Sequence, residues 1–245
     1  MDKNEFNSSL YRPIDITLDG TSASGKGTLV KGLLKNLPNY QAMDAGAMYR
    51  AITRFYIDDE IDSVNLVKTS GNTLTERLIN DISLELNEEG LILNGKRLTD
   101  SLLRGPDIDP FVGKYAGIDE VKLFAVDLQK RLVEDSKCGI ILDGRCMGSA
   151  VAPQAQAKFF VDAPSLVRAT RRHIDYVKAG KLGYSTEQIF IDLENRDNLD
   201  YNAKTFPLVN PENSIQIDTF SLSPEEGVEK VLKYVKQKII EEGKL

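Results

Sequence analysis

The sequence predicts an α/β fold in which a parallel β-sheet is covered by helices on both faces. Apolar residues recur with period two in short segments and with period three to four in the segments that follow them, which is typical of strands alternating with helices. Repeated strand–helix units favour a parallel sheet, because each helix returns the chain to the same end of the sheet. The chain has 245 residues, of which 41% are hydrophobic, enough for a substantial core.

The first strand is predicted where Ile14, Ile16 and Leu18 alternate with polar residues. The helix that follows ends at Pro38, and its predicted core face consists of Leu29, Val30, Leu33, Leu34 and Leu37. Further strands are predicted at residues 41–43, 139–142, 158–161 and 214–217.

The last helix has the most complete set of start signals. Ser223 is the predicted N-cap, Glu226 its capping-box partner and Pro224 a first-turn residue. One face of this helix is predicted to be apolar and comprises Val228, Val231, Leu232, Val235 and Ile239.

One region departs from the strand–helix alternation. Between residues 81 and 98, the segments "ISLEL", "LIL" and "KRL" are separated by "NEEG" and by Asn94-Gly95, which predicts two or three short antiparallel strands. We assign residues 67–114 to a small insertion in a core that spans 13–245, and residues 1–12 to a flexible extension. The polar, Gly-rich segment Lys178 to Gln188 predicts a mobile loop.

Charge and composition exclude several classes of protein. The 31 basic and 37 acidic residues give a net charge of −6, which argues against a general nucleic-acid or membrane-surface binder. No apolar run reaches the roughly 18 residues of a membrane span. The thiols of Cys138 and Cys146 favour a reducing compartment, so we expect a cytoplasmic location. The single histidine, His173, is expected at the surface and leaves little room for histidine-based hydrolysis or zinc chemistry.

The segment "DGTSASGKGT" lies between the first strand and the first helix. Two glycines let consecutive N–H groups turn around a phosphate, the helix N-terminus adds positive charge, and the lysine reaches the β and γ phosphates. The hydroxyl of Thr28 is placed to help position Mg²⁺. A Gly-rich turn that only caps the helix is the alternative, which the flanking strand and helix disfavour. The predicted phosphate loop comprises Gly20, Thr21, Ser22, Ala23, Ser24, Gly25, Lys26, Gly27 and Thr28.

Four further segments indicate a family. "DAGAMYR" at 44–50, "LLRGPDI" at 102–108, "ILDGRCMG" at 141–148 and "ENRDNLDYNA" at 194–203 resemble, in this order, motifs of bacterial cytidylate kinases. The resemblance implies a P-loop three-layer sandwich with a five-stranded parallel sheet, an NMP-binding insertion and a short lid at 178–203. It implies ATP- and Mg-dependent phosphoryl transfer to CMP or dCMP by a monomer whose partners are nucleotides.

The resemblance also implies roles for individual residues. Lys26 and the loop amides would hold the phosphates of ATP, while Asp143 and Thr28 would orient hydrated Mg²⁺. The arginines expected to clamp the acceptor phosphate and the transferring group are Arg50, Arg145 and Arg196. Asp200 would contact the nucleotide from the lid, Arg104 would lie near the acceptor, and either Arg171 or Arg172 would face ATP. The alternatives are that Arg196 and Asp197 form an ordinary helix-surface pair and that Arg50 solvates its helix.

Several positions depart from the family pattern. Ala23 replaces a glycine, at a cost of about 1 kcal/mol if φ is positive there. The other departures mostly fall where the family contacts the acceptor, and they are Ala45, Gly113, Lys122, Cys146 and Ala203, the last followed by Lys204. The Cys146 side chain is interpreted as a small neutral filler, with a redox-active thiol as the alternative. Two other hypotheses therefore stay open, a kinase of the same fold with a different acceptor and a nucleotide-binding paralogue that has lost turnover.

Overall fold

The computed structural model describes residues 12–58, 72–87, 90–105 and 107–243. The strands are β1 Ile16–Gly20, β2 Tyr40–Asp44, β3 Leu84–Asn87, β4 Gly90–Leu93, β5 Lys96–Arg97, β6 Gly139–Gly144, β7 Ala157–Asp162 and β8 Ile215–Asp218. The helices are α1 Lys26–Asn36, α2 Ala45–Asp58, α3 Asn72–Asp81, α4 Asp100–Leu103, α5 Asp109–Ala116, α6 Asp119–Asp135, α7 Ser165–Lys178, α8 Thr186–Tyr201 and α9 Pro224–Glu241, with a π-helical turn at Met147–Val151. Among these helices, none has the length and apolar character that crossing a membrane requires.

The described chain forms two compact units. The first takes the described residues up to Ala42 and from Lys137 onward, and the second spans Met43–Ser136. The predicted N-terminal extension falls, except for Arg12, outside the described residues, as do residues 67–71, 88–89 and 106 of the predicted insertion. The boundaries assigned from the sequence to the insertion and the lid stay predictions.

A five-stranded sheet organises the first unit. Its strand order is β2-β6-β1-β7-β8. Strand β1 runs parallel to both β6 and β7, and β7 runs parallel to β8. The predicted parallel sheet is confirmed, and each segment predicted from the sequence overlaps its strand.

Helices α1 and α9 cover one face of this sheet. Their buried side chains join those of β1, β6, β7 and β8 in one core, which includes Leu18, Leu33, Phe159 and Val235. The prediction for α1 is wrong at Leu34, which is 38% exposed. On a helical wheel with 100° per residue, Leu34 lies about 85° from the centre of the apolar stripe. It is therefore at the edge of the stripe and points past the sheet.

The predicted start and buried face of α9 are confirmed. Ser223 accepts a hydrogen bond from the Glu226 amide, and the Glu226 carboxylate accepts one from the Ser223 amide. The helix begins at Pro224 and buries Val231, Val235 and Ile239, while Val228 and Leu232 are half-buried against the same core.

The opposite face of β1 is polar and buried. Strand residues alternate between faces, so Asp15, Thr17 and Asp19 point away from α1 and α9, and all three are buried. The π-helical turn packs on β1. Helices α7 and α8 pack together through a small core that includes Ala169 and Leu193. Helix α8 begins at Thr186, so the connection from α7 is shorter than the loop predicted to reach Gln188.

The second unit combines α2–α6 with a three-stranded sheet of order β3-β4-β5, whose pairs are antiparallel. The predicted hairpin is confirmed, because Asn94 and Gly95 have φ of 48° and 76°, the positive values that a two-residue turn of this kind needs. The buried ring of Tyr56 stacks on that of Tyr115 with 5.6 Å between centroids.

Candidate active site

The predicted phosphate loop connects β1 to α1, and its backbone requires the glycines at both ends. Gly20 has φ of 144°, and a Cβ there would lie 1.9 Å from the carbonyl oxygen of Val161. Gly25 precedes the first residue of α1 and has φ of 98°. Ala23 has φ of 60°, so the strain expected from the sequence is present and costs about 1 kcal/mol.

Lys26 lies beneath this loop. Its side chain is 7% exposed, and its Nζ donates to the carbonyl oxygens of Gly20 at 3.0 Å and Thr21 at 2.8 Å. The carboxylate of Asp143, the penultimate residue of β6, lies 4.0 Å from the same nitrogen. The ammonium group is therefore held by carbonyl groups of its own loop and by the Asp143 carboxylate.

The pKa of Lys26 is lowered to about 8, mainly by burial and next by the charge of the nearby Arg145 guanidinium. Asp143 and Asp19 oppose this shift by favouring the charged ammonium. At pH 7 most Lys26 side chains remain protonated, but the charge is held at a cost that a bound anion would relieve.

The loop's other carbonyl groups are also held by side chains. Ser22 O accepts from an Arg168 guanidinium nitrogen at 3.1 Å, and Ser24 O accepts from the Thr219 hydroxyl at 2.8 Å. In a trans peptide the following N–H points away from the carbonyl, so these donors turn the next amides in the opposite direction. Successive amides arranged in this way form an anion-binding concavity, to which the N-terminus of α1 adds positive charge.

Asp19 connects the loop to the segment after β6. Its two carboxylate oxygens accept hydrogen bonds from the amides of Met147 and Gly148, each at 2.7 Å. Burial raises the pKa of Asp19, while these amides and the nearby Lys26 lower it. Sequence reasoning missed this residue, although an aspartate at the end of a buried strand and before a glycine, as at Asp19-Gly20, is costly unless it binds a partner.

Arg145 and Arg196 converge on one carboxylate. Asp200 lies 2.7 Å from the Nε of Arg145 and 3.9 Å from the Nε of Arg196, which is one helical turn earlier in α8. The structure thus brings these three predicted site residues together. The alternative of a surface pair between Arg196 and Asp197 is wrong, because Asp197 is buried and pairs with Arg168 at 2.7 Å.

Arg168 and Asp162 form hydrogen bonds with the loop and were not predicted as site residues. Arg168 is 3% exposed. The Thr21 hydroxyl donates to Asp162 at 2.6 Å, so this aspartate holds the side chain that precedes Ser22. A lone helical arginine gives no sequence signal of burial, since arginine is rarely buried unless it is paired.

The neighbouring residues of α7 differ in what they contact. Arg171 donates to the hydroxyl of Thr219 at 2.9 Å and to its carbonyl at 2.7 Å. Arg172 donates to the Tyr176 hydroxyl at 3.1 Å and reaches the Ser22 hydroxyl at 3.5 Å. His173, expected at the surface, is half-buried.

The two residues predicted to position Mg²⁺, Thr28 and Asp143, carry oxygen ligands of the kind that a hard cation prefers. Thr28 is exposed in the first turn of α1, and Asp143 keeps 21% of its side chain exposed. Within the described ranges, no group of three or more His, Cys, Asp or Glu side chains is close enough to hold a metal alone. A Mg²⁺ ion fits this set, because it usually takes one or two protein oxygens and completes its shell with phosphates and water.

Two predicted residues, Arg50 and Arg104, belong to the second unit. Arg50 donates to the Leu103 carbonyl at 3.0 Å and to Asp109 at 2.5 Å, and its side chain is 17% exposed. Arg50 is therefore engaged by protein groups, and the alternative of a solvated helix residue is wrong. Arg104 is half exposed and lies 3.4 Å from Asp44.

The residues that depart from the family pattern differ in burial. Ala45 and Cys146 are buried, at 5% and 7% exposed. Lys122 and Ala203 are half-buried, and Gly113 is exposed. The burial of Cys146 suits the interpretation of a small neutral side chain that fills space.

A parallel α/β sheet whose first strand leads through this loop into a helix defines a P-loop protein that handles nucleotide phosphates. Residues 16–237 match the family described as cytidylate kinase. The chain belongs to this family of phosphotransferases, as its motifs predicted.

Curated relatives are similar to the chain over almost their whole length. A cytidylate kinase of Clostridium tetani (strain Massachusetts / E88) is 35% identical over 228 residues, covering 93% of this chain and 96% of the relative. A cytidylate kinase of Carboxydothermus hydrogenoformans is 33% identical over 227 residues, covering 91% and 97%. Among solved structures, a shikimate kinase from Bacteroides thetaiotaomicron has a TM-score of 0.47 and 10% identity, with 91% and 98% of the two chains covered.

Proposed function

We propose that the chain transfers the γ-phosphoryl group of ATP, with Mg²⁺, to CMP or dCMP, giving ADP and CDP or dCDP. The observation that carries the proposal is the loop itself, because Lys26, Arg168 and Thr219 hold the carbonyls of Gly20, Ser22 and Ser24, which turns the amides that follow these carbonyls away from those donors. Family membership and the names of the relatives support a cytidine monophosphate as acceptor.

The donor site is assigned to the loop and Lys26. The amides between Gly20 and Thr28 would hold the β and γ phosphates, and the Lys26 ammonium would leave its carbonyl partners to contact them. Phosphate oxygens compensate its charge better than carbonyls do, because a charge-assisted hydrogen bond is about twice as strong as a neutral one.

Thr28 and Asp143 are the proposed protein ligands for Mg²⁺, directly or through water. When bound, the ion neutralises charge that develops on the phosphates and aligns their oxygens. The proximity of Asp143 to Lys26, 4.0 Å, supports a role at the donor phosphates, since this carboxylate already balances the cation assigned to them.

Arg145 and Arg196 are assigned to the acceptor phosphate and the transferring group, and family membership supports Arg50 and Arg104 as further ligands of the acceptor. Arg145 and Arg196 both pair with Asp200, so an incoming phosphate would compete with that carboxylate for two guanidinium groups. Asp200 would then be released to accept hydrogen bonds from the nucleotide. A phosphate acceptor is already anionic near pH 7, so no general base is needed, and catalysis reduces to alignment and charge neutralisation.

ADP release by the purified protein, supplied with ATP, Mg²⁺ and each of a panel of monophosphates, tests the proposal. CMP and dCMP should be the best acceptors, and Lys26→Ala should lower the rate by at least about a hundredfold, the loss typical of removing one electrostatic contact to the transition state. ADP release no higher than that of Lys26→Ala for every acceptor would overturn the phosphotransferase assignment. Turnover with UMP or AMP but not CMP would overturn the acceptor alone.

A further inference from the structure

We propose that Arg168 is a positioning residue that holds the Ser22–Ala23 peptide in the orientation needed for phosphate binding. The proposal rests on the proposed function only in taking the loop as the phosphate site. Arg168 lies on α7, outside the loop sequence, and acts on the nucleotide through the backbone of another segment.

Each of the three nitrogens of the Arg168 guanidinium group contacts a protein acceptor. Its Nε donates to Ala163 O at 2.8 Å, one terminal nitrogen donates to Ser22 O at 3.1 Å, and the other reaches Ser165 Oγ at 2.8 Å and Asp197 at 2.7 Å. The guanidinium group is planar and rigid, which fixes the angles between these contacts. The acceptors that hold the other two nitrogens therefore determine the direction of the nitrogen that donates to Ser22.

That nitrogen determines the direction of one loop amide. Because the Ser22–Ala23 peptide is trans and planar, anchoring the Ser22 carbonyl to Arg168 turns the Ala23 N–H away from Arg168. The carbonyls of Thr21 and Ser24 are held by other donors, so the Thr21–Ser22 and Ser24–Gly25 peptides have restricted freedom to compensate. The orientation of this amide therefore depends on the Arg168 bond.

The bond is needed because Ala23 has a conformation that alanine disfavours. A φ of 60° places its Cβ close to the backbone, and such residues persist only where the surroundings over-determine them. Without Arg168, rotation of the Ser22–Ala23 peptide would relieve the strain and remove the amide from the phosphate side.

Arg168 is not placed to bind the phosphate itself. Its side chain is 4% exposed, it pairs with Asp197, and the Asp162 carboxylate lies 4.0 Å from its Nε. Asp162 also holds the Thr21 hydroxyl. The two aspartates offset the charge of Arg168, so its contribution is geometric.

The test measures binding of ATP and of inorganic triphosphate by titration calorimetry, without an acceptor, for Arg168→Lys, Ala23→Gly and the double variant. Lysine keeps the charge but not the fork, so Arg168→Lys should weaken binding of both probes about tenfold, the effect of one lost hydrogen bond to a charged group. Glycine at 23 removes the strain, so the double variant should recover about fivefold of that loss. Arg131→Lys, which makes the same change at a half-exposed arginine that pairs with Asp127 on α6, is the matched control and should bind as the wild type does.

A merely structural role for Arg168 predicts a different pattern. It would lower the melting temperature of Arg168→Lys without weakening either probe, and Ala23→Gly would give no recovery. Either result, in folded protein, overturns the proposal. If Arg168→Lys does not fold, the double variant decides, because relief at Ala23 should restore folding and a double variant that also fails to fold contradicts the assignment. Binding is measured apart from turnover, so a wild type that binds triphosphate but releases no ADP refutes the proposed function and leaves this test intact.

Discussion

Raising the pH from 7 to 9 should weaken ATP binding, because it removes the proton from Lys26. Burial and the Arg145 charge lower the pKa of this lysine to about 8 in the nucleotide-free protein. Phosphate oxygens would replace neutral carbonyls as its partners, which favours the ammonium form and raises the pKa in the complex. Binding above pH 8 must therefore take up a proton.

The size of the effect follows from the free-state pKa. With a value of about 8, roughly a tenth of Lys26 side chains are neutral at pH 7 and nine-tenths at pH 9. If Lys26 stays protonated in the complex over this range, the dissociation constant rises about tenfold between these pH values, and proton uptake rises from about 0.1 to about 0.9 per ATP bound.

Titration calorimetry at pH 7 and 9, in pairs of buffers with different ionisation enthalpies, measures both quantities. Lys26→Ala is the control, and its weaker binding should not change with pH over this range. An affinity of the wild type that is the same at pH 7 and 9, with no proton uptake at pH 9, would show that Lys26 is not the titrating phosphate ligand. A pH dependence that persists in Lys26→Ala would assign it to another group.

Four substitutions test how the same residues affect the stability of the fold. Between pH 8 and 10.5, the free energy of unfolding of the nucleotide-free wild type should rise by about 3 kcal/mol relative to that of Lys26→Met, because the folded protein lowers the pKa of Lys26 to about 8. The comparison is made between pH values because the substitution also removes the hydrogen bonds to Gly20 and Thr21. A stability difference that urea unfolding finds equal at pH 8 and 10.5 would contradict this. Gly20→Ala should prevent normal folding, since its Cβ would meet a strand carbonyl at 1.9 Å, whereas Gly27→Ala, with no atom within 4 Å, should raise stability by about 0.5–1 kcal/mol in thermal unfolding. Ser223→Ala should lower stability by about 1 kcal/mol through loss of the α9 cap and leave the affinity for ATP unchanged.

The sheet and the last helix could be predicted because their signals are local. The period-two strands were placed by hydrophobicity alone, and the cap of α9 needs only Ser223 and Glu226, three residues apart. Leu34 was misplaced because a short helix with apolar residues over a wide arc does not show where the buried stripe ends.

The site was predicted in part, for a related reason. Lys26 and the loop glycines form a continuous segment, and Arg145, Arg196 and Asp200 were found by resemblance. Arg168 was missed, because it acts on the loop from 146 positions away in the chain and its burial depends on Asp197 in a third segment. Long-range pairing of buried charges has no periodicity or spacing that a single sequence displays.

The loop contains two energetically unfavourable features, the buried charge of Lys26 and the strain at Ala23, and bound nucleotide would relieve only the first. The protonated Lys26 costs about 3 kcal/mol when buried, and bound phosphate would relieve that cost and so add to affinity. The strain at Ala23, about 1 kcal/mol, is steric, so it carries no charge that phosphate could compensate. The first cost is therefore balanced by the ligand, while the second must be balanced by the protein. The Arg168 bond to Ser22 is the contact placed to do so, which is why the recovery by Ala23→Gly separates its role from simple stabilisation of the fold.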